Sequence, residues 1–228
     1  MKIIAHIKTD FPDKFGIPRQ SGIVKGLKGK IVFEPEFRNP DALRGLDGFS
    51  HIWVLWKFSR LNGESDKWSP TVRPPRLGGN KKVGVFASRS PYRPNPIGMS
   101  CVKIEKIENT DEYGAVIYVS GIDMADNTPI YDIKPYLNYV DCIPEATNGF
   151  ADEGINHKLD VNFPDEKKNK VPSEHLETLI DILKSDPRPS YIDDNDRVYG
   201  MYYADLEIKF KVCGRLLKVC EVYVISKE

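Results

Sequence analysis

The chain reads as a mainly β protein: a sandwich or barrel of short strands, then a small α+β unit at the C-terminal end. Three observations predict this. Short runs rich in Val, Ile, Tyr and Phe recur up to residue 122, each bounded by clusters of Gly, Pro, Asn or Asp. No long amphipathic helix precedes residue 145. After residue 170 the pattern changes to one helix-period segment and a hairpin whose first arm alternates.

The elements follow in order. IIAHI (3–7) is a first strand; MKIIAHIKTDFPDKF meets charge too early, and lacks the small-residue cleavage site, for a signal peptide. KIVFEPE (30–36) is the second, and DALRGLDG (41–48) has room for one helical turn. HIWVLWKF (51–58) is nearly all apolar, so burial on both faces is expected. KVGVFAS (82–88), CVKIEKIE (101–108) and AVIYVSGI (115–122) complete the strand set, the last two partly alternating as half-buried strands do. Residues 146–170 are polar and irregular, a linker or long loop. In SEHLETLIDILKSD (173–186), Leu176, Leu179, Ile180 and Leu183 share a helix face; Ser173 is placed to cap it and Pro187 follows its end. LEIKFKV (206–212) and LLKVCEVYVIS (216–226) form a hairpin turning near Gly214. This divides the chain into residues 1–145, a linker over 146–170, and a C-terminal domain over 171–228. The last is small, so it is expected to pack on the first domain or on a partner subunit.

Charges balance at 33 basic and 33 acidic residues but are segregated along the chain. Lys67, Arg73, Arg76, Lys81, Lys82, Arg89, Arg93 and Lys103 fall in a stretch with no acid, whereas residues 105–166 carry 14 acids against Lys106, Lys134 and Lys158. Such a basic block suits a polyanion or a phosphate, unless the fold interleaves the two blocks. No apolar run approaches the roughly 18 residues of a membrane helix. Cys101, Cys142, Cys213 and Cys220 form no CxxC pair and the four histidines are scattered, so free buried thiols in a reducing cytoplasm, and no metal site, are expected. The dinucleotide glycine fingerprint, the phosphate loop, HExxH and GxSxG are all missing.

The most informative stretch is RSPYRPNPIGMS (89–100). Pro91, Pro94 and Pro96 restrict the backbone, and a rigid loop can present Arg89 and Arg93 at fixed positions. Each guanidinium offers a bidentate fork to carboxylate or phosphate. Asn95 adds a short donor and acceptor, and Gly98 suits a positive φ or a ligand's close approach to the backbone. A plain surface loop with locally paired arginines is the alternative, weakened by the lack of acids nearby in sequence.

This loop, after GVFA, resembles the signature of the TsaA-like, or TrmO, family of S-adenosylmethionine-dependent tRNA N6-methyltransferases. FGIPRQSG (15–22), RGLDGFSHIWVLW (44–56), SPTVRPPRLGGN (69–80), MADNTPIYDIKPYL (124–137) and DPRPSY (186–191) are similar to further family blocks in family order. Asn127 departs from the pattern, where a small residue is expected. The resemblance implies a small β-barrel methyltransferase domain, a homodimer, and N6-methylation of threonylcarbamoyladenosine at position 37 of threonine tRNA. It places S-adenosyl-L-methionine against Gln20, Ser21, Gly22, Ile23, Ser59, Arg60, Arg89, Met99, Asp126, Asn127, Thr128, Pro129 and Ile130, with Arg89 and Asp126 catalytic. Arg73, Arg76, Lys81, Lys82, Arg93 and Tyr191 are expected on tRNA, and Trp68 and Tyr92 are available to stack on bases. The acceptor nitrogen is a weak nucleophile, so a general base would help. Asp126, Asp123 and His51 are the candidates, and the sequence does not choose among them. Another methyltransferase on the same barrel, or a non-enzymatic RNA-binding barrel, stays open at this point.

Overall fold

The computed structural model describes residues 1–59, 68–74, 81–154, 157–188 and 194–225. Six strands close into an antiparallel barrel, in the order β1 (Ala5–Thr9), β2 (Lys28–Phe33), β7 (Gly114–Ser120), β6 (Ile97–Thr110), β3 (His51–Lys57) and β8 (Thr128–Pro135). Alternate residues point inward: Ile7, Ile31, Val54, Val102, Ile117 and Ile130 are all fully or almost fully buried. Closure removes every sheet edge, so short strands of modest hydrophobicity suffice.

HIWVLWKF is buried on one face only. Ile52, Val54 and Trp56 enter the core, while Trp53 and Leu55 stay partly exposed on the outer wall. The short helix α1 (Asn138–Asp141) lies against that wall, where Asp141 Oδ2 accepts the Trp53 Nε1 proton at 3.0 Å. KVGVFAS also differs from expectation. Only β5 (Val83–Gly84) is strand, paired with β4 (Thr71–Val72), and Val85–Ala87 turn as a 3₁₀ element. The ribbon is too short to extend further. DALRGLDG holds two 3₁₀ turns, Pro40–Leu43 and Leu46–Gly48, separated by Gly45 at φ 84°. β8 escaped the sequence reading because Pro129, Asp132, Lys134 and Pro135 interrupt its apolar pattern.

The C-terminal unit is a four-stranded sheet in the order β10 (Tyr199–Tyr203), β11 (Leu206–Cys213), β12 (Leu216–Val224), β9 (Asp160–Asn162), with β9 parallel to β12. The stretch read as a linker therefore contributes β9 and the one-turn helix α2 (Asp165–Lys168). Three strand residues are below the reach of a periodicity reading. Helix α3 (Ser173–Lys184) buries Thr178, Leu179, Ile182 and Leu183. Ser173 does not cap it: Pro172 holds the cap position, and the Ser173 hydroxyl instead meets Glu174 Oε2 at 3.4 Å.

The two units share one continuous core. The Phe11 and Tyr203 rings lie 5.4 Å apart, and Ala204 N–H donates to the Asp10 carbonyl at 2.8 Å. A Cβ on Gly26 would stand 2.5 Å from Thr178 Oγ1, so α3 approaches the segment after β1 more closely than a side chain allows. Residues 10–27 are thereby held between barrel and C-terminal sheet. All four thiols are free, but none is fully buried: Cys142 and Cys213 are exposed, Cys101 and Cys220 partly so. Among the described residues, no helix is long and apolar enough to cross a membrane.

Candidate active site

One mouth of the barrel is formed by the end of β1, the starts of β2, β6 and β8, and the ends of β3 and β7. Two loops and the 10–27 segment converge there. The segment fills the gap where β6 and β7 diverge: Ser21 Oγ accepts the Cys101 N–H at 3.2 Å, and Gly22 N–H donates to the Gly121 carbonyl at 2.9 Å. Gly22 and Gly121 have φ of 79° and 74°, a backbone that favours glycine.

The proline-rich loop bonds heavily to itself. Arg93 Nη1 donates to the Ser88 carbonyl at 3.0 Å, Arg93 N–H to the Pro91 carbonyl at 2.9 Å, and Ile97 N–H to the Asn95 carbonyl at 2.8 Å. This fixes the exposed Arg89, whose Nη1 donates to Gln20 Oε1. Gln20 and Arg89, 69 residues apart in sequence, thus meet at the mouth.

Below them lies a polar cluster inside an apolar barrel. Trp56 Nε1 donates to Ser100 Oγ at 2.9 Å, and Ser100 Oγ–H donates to Asp123 Oδ1 at 2.5 Å. Ser100 is fully buried. Burial pushes the Asp123 carboxyl up to about 6, although Ser100, backbone N–H groups including that of Ser21, and the charge of Arg89 all pull it down. Asp123 is therefore a carboxylate poised near neutrality within the field of a guanidinium, the kind of group that moves protons at working pH.

Gly98 makes this cluster possible. A Cβ there would stand 2.2 Å from the Trp56 ring, which lies flat across the backbone of β6. The ring cannot step aside without breaking its bond to Ser100. Gly98→Ala is expected to cost about 3 kcal/mol, the upper end for overpacking a core. A urea midpoint unchanged from the parent protein would show that the ring has room.

Of the residues expected around the donor, Gln20, Ser21, Gly22, Ile23 and Arg89 gather here. Asp126 holds the neighbouring turn. Its Oδ1 accepts the Thr9 N–H at 3.0 Å and its Oδ2 the Asn127 Nδ2 proton at 2.9 Å, tying the 121–127 turn to the end of β1. The charge of Arg89 reaches Asp123 and pulls its pKa down. Asn127 has φ 61°, a conformation Asn tolerates well, and its Oδ1 accepts from Lys8 Nζ. Thr128 is buried and bonds its own turn through the Ala125 carbonyl at 2.8 Å. Ile130 is a core residue with a fully buried side chain, and Pro129 is paired with His6 within the barrel wall. Met99 points outward, 48% exposed. Ser59 is exposed just past β3, and Arg60 lies outside the described residues. His51 begins β3 at the end remote from the mouth, bonded to Ser50 Oγ at 2.9 Å.

Arg73, Lys81 and Lys82 are exposed on or beside the β4–β5 ribbon, and Arg93 is half-buried in the loop; Arg76 and Tyr191 lie outside the described residues. Ser100 and Trp56 were missed. Gly98, Ser100 and Val102 are the inward positions of β6, so a serine in that series was the available signal.

The chain matches the model of the tRNA-methyltransferase O N-terminal domain over residues 6–142 and that of the TrmO C-terminal domain over residues 156–225. It is 35% identical to the tRNA (adenine(37)-N6)-methyltransferase of Escherichia coli K12, covering 92% of this chain and 91% of that protein. It is 45% identical to the protein of the same name from Eikenella corrodens, over 72% of this chain and 91% of that one. A crystal structure of TrmO from Pseudomonas aeruginosa superposes with a TM-score of 0.75 at 30% identity, covering 97% of each chain. With both parts of the chain matched and the whole architecture shared, the chain belongs to the tRNA-methyltransferase O family.

Proposed function

We propose that this chain transfers a methyl group from S-adenosyl-L-methionine to N6 of threonylcarbamoyladenosine at position 37 of threonine tRNA, as a cytoplasmic homodimer. The observation that carries this reading is the mouth itself: a guanidinium and a carboxylate of raised pKa share it, in a family whose relatives bear the name tRNA (adenine(37)-N6)-methyltransferase.

The residues present suit the donor. Asp123 is a partly buried carboxylate that a sulfonium would relieve. Arg89 offers a fork for the donor's own carboxylate. Ile23 and Met99, both exposed, each stand two residues from the Ser21–Cys101 bond and supply apolar surface for an adenine. When bound, S-adenosyl-L-methionine supplies an electrophilic methyl group on sulfur. The chain's task is then to align an acceptor nitrogen and take its proton. Asp123 is the base, accepting that proton on the carboxylate that Ser100 orients. Arg89 holds the donor end and keeps Asp123 ionised. Asp126 fixes the turn that carries Asp123.

Residues 1–145 act as the transferring domain, and the C-terminal domain, which the sheet extends back to β9 at Asp160, braces it. The dimer reading is supported by an apolar outer wall, where Tyr139, Val140 and Ile143 are 57–85% exposed after β8. The experiment is nucleoside mass spectrometry of threonine tRNA after incubation with the protein and donor. One methyl gained on the threonylcarbamoyl nucleoside, and none on unmodified tRNA, is the expected result. No gain, with donor binding intact, moves the substrate to another RNA or a small molecule.

A further inference from the structure

Two large aromatic side chains stand in solvent, one just before the β4–β5 ribbon and one in the turn that follows it, the latter just ahead of Arg89 in the chain. Phe86 is 72% exposed and Trp68 is 52% exposed, yet their rings meet at 6.1 Å with an interplanar angle of 32°. Single exposed apolar residues are ordinary; a paired and fixed couple is less so.

The fixing is visible. Val85 is 1% exposed and anchors the 3₁₀ turn, with its N–H donating to the Pro70 carbonyl at 2.9 Å. That bond sets Trp68, two residues before Pro70, against Phe86, one residue after Val85. Ser88 closes the turn through N–H and Oγ bonds to the Val85 carbonyl at 3.2 and 2.9 Å. The same turn buries Val85, extends Phe86 outward and delivers Arg89 three residues later. The turn that carries Phe86 therefore runs directly into the loop that carries Arg89.

We infer that Trp68 and Phe86 form a stacking platform for an unpaired nucleobase of an RNA, next to the nucleotide that enters the mouth. The inference rests on the tRNA reading above. Stacking on aromatic rings tolerates any base, and cations around it take the phosphates. Here Arg73, Lys81, Lys82 and Arg93 surround the pair in sequence, and no acid occurs from Trp68 to Ile104. That charge pattern selects nucleic acid over a second copy of the chain, because the cores of protein interfaces are depleted in charge, lysine above all.

The test uses the full chain with Phe86→Ala, Phe86→Tyr and Trp68→Ala variants. The probe is a labelled anticodon stem–loop RNA read by fluorescence anisotropy, with donor calorimetry and sedimentation alongside. Phe86→Ala is expected to weaken RNA binding roughly tenfold, with the salt dependence of binding and the donor affinity unchanged. Phe86→Tyr restores binding, since it keeps the π face. RNA quenches tryptophan emission in the parent protein, and Trp68→Ala removes the quenching. Parent-level affinity in Phe86→Ala overturns the platform while leaving the tRNA reading in place. A Phe86→Ala protein that dissociates, and regains RNA affinity when concentrated, assigns the surface to a second copy instead. No RNA binding by the parent protein overturns both.

Discussion

Arg89→Ala is expected to lower kcat/KM for methyl transfer by about 10²–10³-fold, the loss seen when one preorganised charge donor is removed from a reacting centre. Its stability should remain within about 0.5 kcal/mol of the parent, because an exposed side chain away from the core carries little packing. The loss has two sources. The fork that would hold the donor goes, and so does the positive charge that restrains the Asp123 pKa. Residual activity in this variant should therefore rise at a higher pH than in the parent. Arg89→Lys keeps the charge but not the planar fork, and should fall between the two. Turnover within about tenfold of the parent in Arg89→Ala would remove this residue from the site.

Asp123→Asn tests the proton rather than the donor. A general base contributes about 10²–10⁴-fold, and the amide cannot accept the proton. The sign with pH follows from the ionisation. The active form is the carboxylate, and its pKa is raised to about 6 by burial. In the parent, kcat/KM rises with pH through that value and then levels. A sulfonium bound nearby favours the charged carboxylate, so the corresponding limb of kcat lies at lower pH than that of kcat/KM. In Asp123→Asn both limbs disappear and the profile is flat and low across this range. Single-turnover rates measured against pH decide the matter: an unshifted limb surviving in the variant would assign the base elsewhere.

The fold was legible where a run rich in Val, Ile, Leu, Tyr or Phe is bounded by turn residues. β6, β7, β11 and β12 all are, and α3 shows its apolar face at helical spacing. β8 was not, because its two prolines and two charges are tolerated only by the neighbours that close the barrel. β9 was not, because it exists only as a partner for β12. For the site, Arg89 and Gln20 were legible through family blocks, and the structure adds that they touch. Choosing Asp123 over Asp126 was beyond the sequence. The two lie three residues apart in one turn, and differ in their partners and burial, which only the closed barrel determines: Asp123 is bonded to the buried Ser100 and raised by desolvation, whereas Asp126 accepts the Thr9 N–H.

The clamping of residues 10–27 has a consequence for how the protein can fail. Gln20, Ser21 and Gly22 have no strand of their own; the barrel holds them on one side, and on the other Tyr203, Met201 and Thr178 pack against Phe11, Gly16 and Gly26 of their segment. Peeling the C-terminal sheet away would leave the barrel closed but its mouth undefined. Loss of activity on heating should thus track the release of the distal sheet, and an inactive, still barrelled species is the first casualty of ageing or proteolysis.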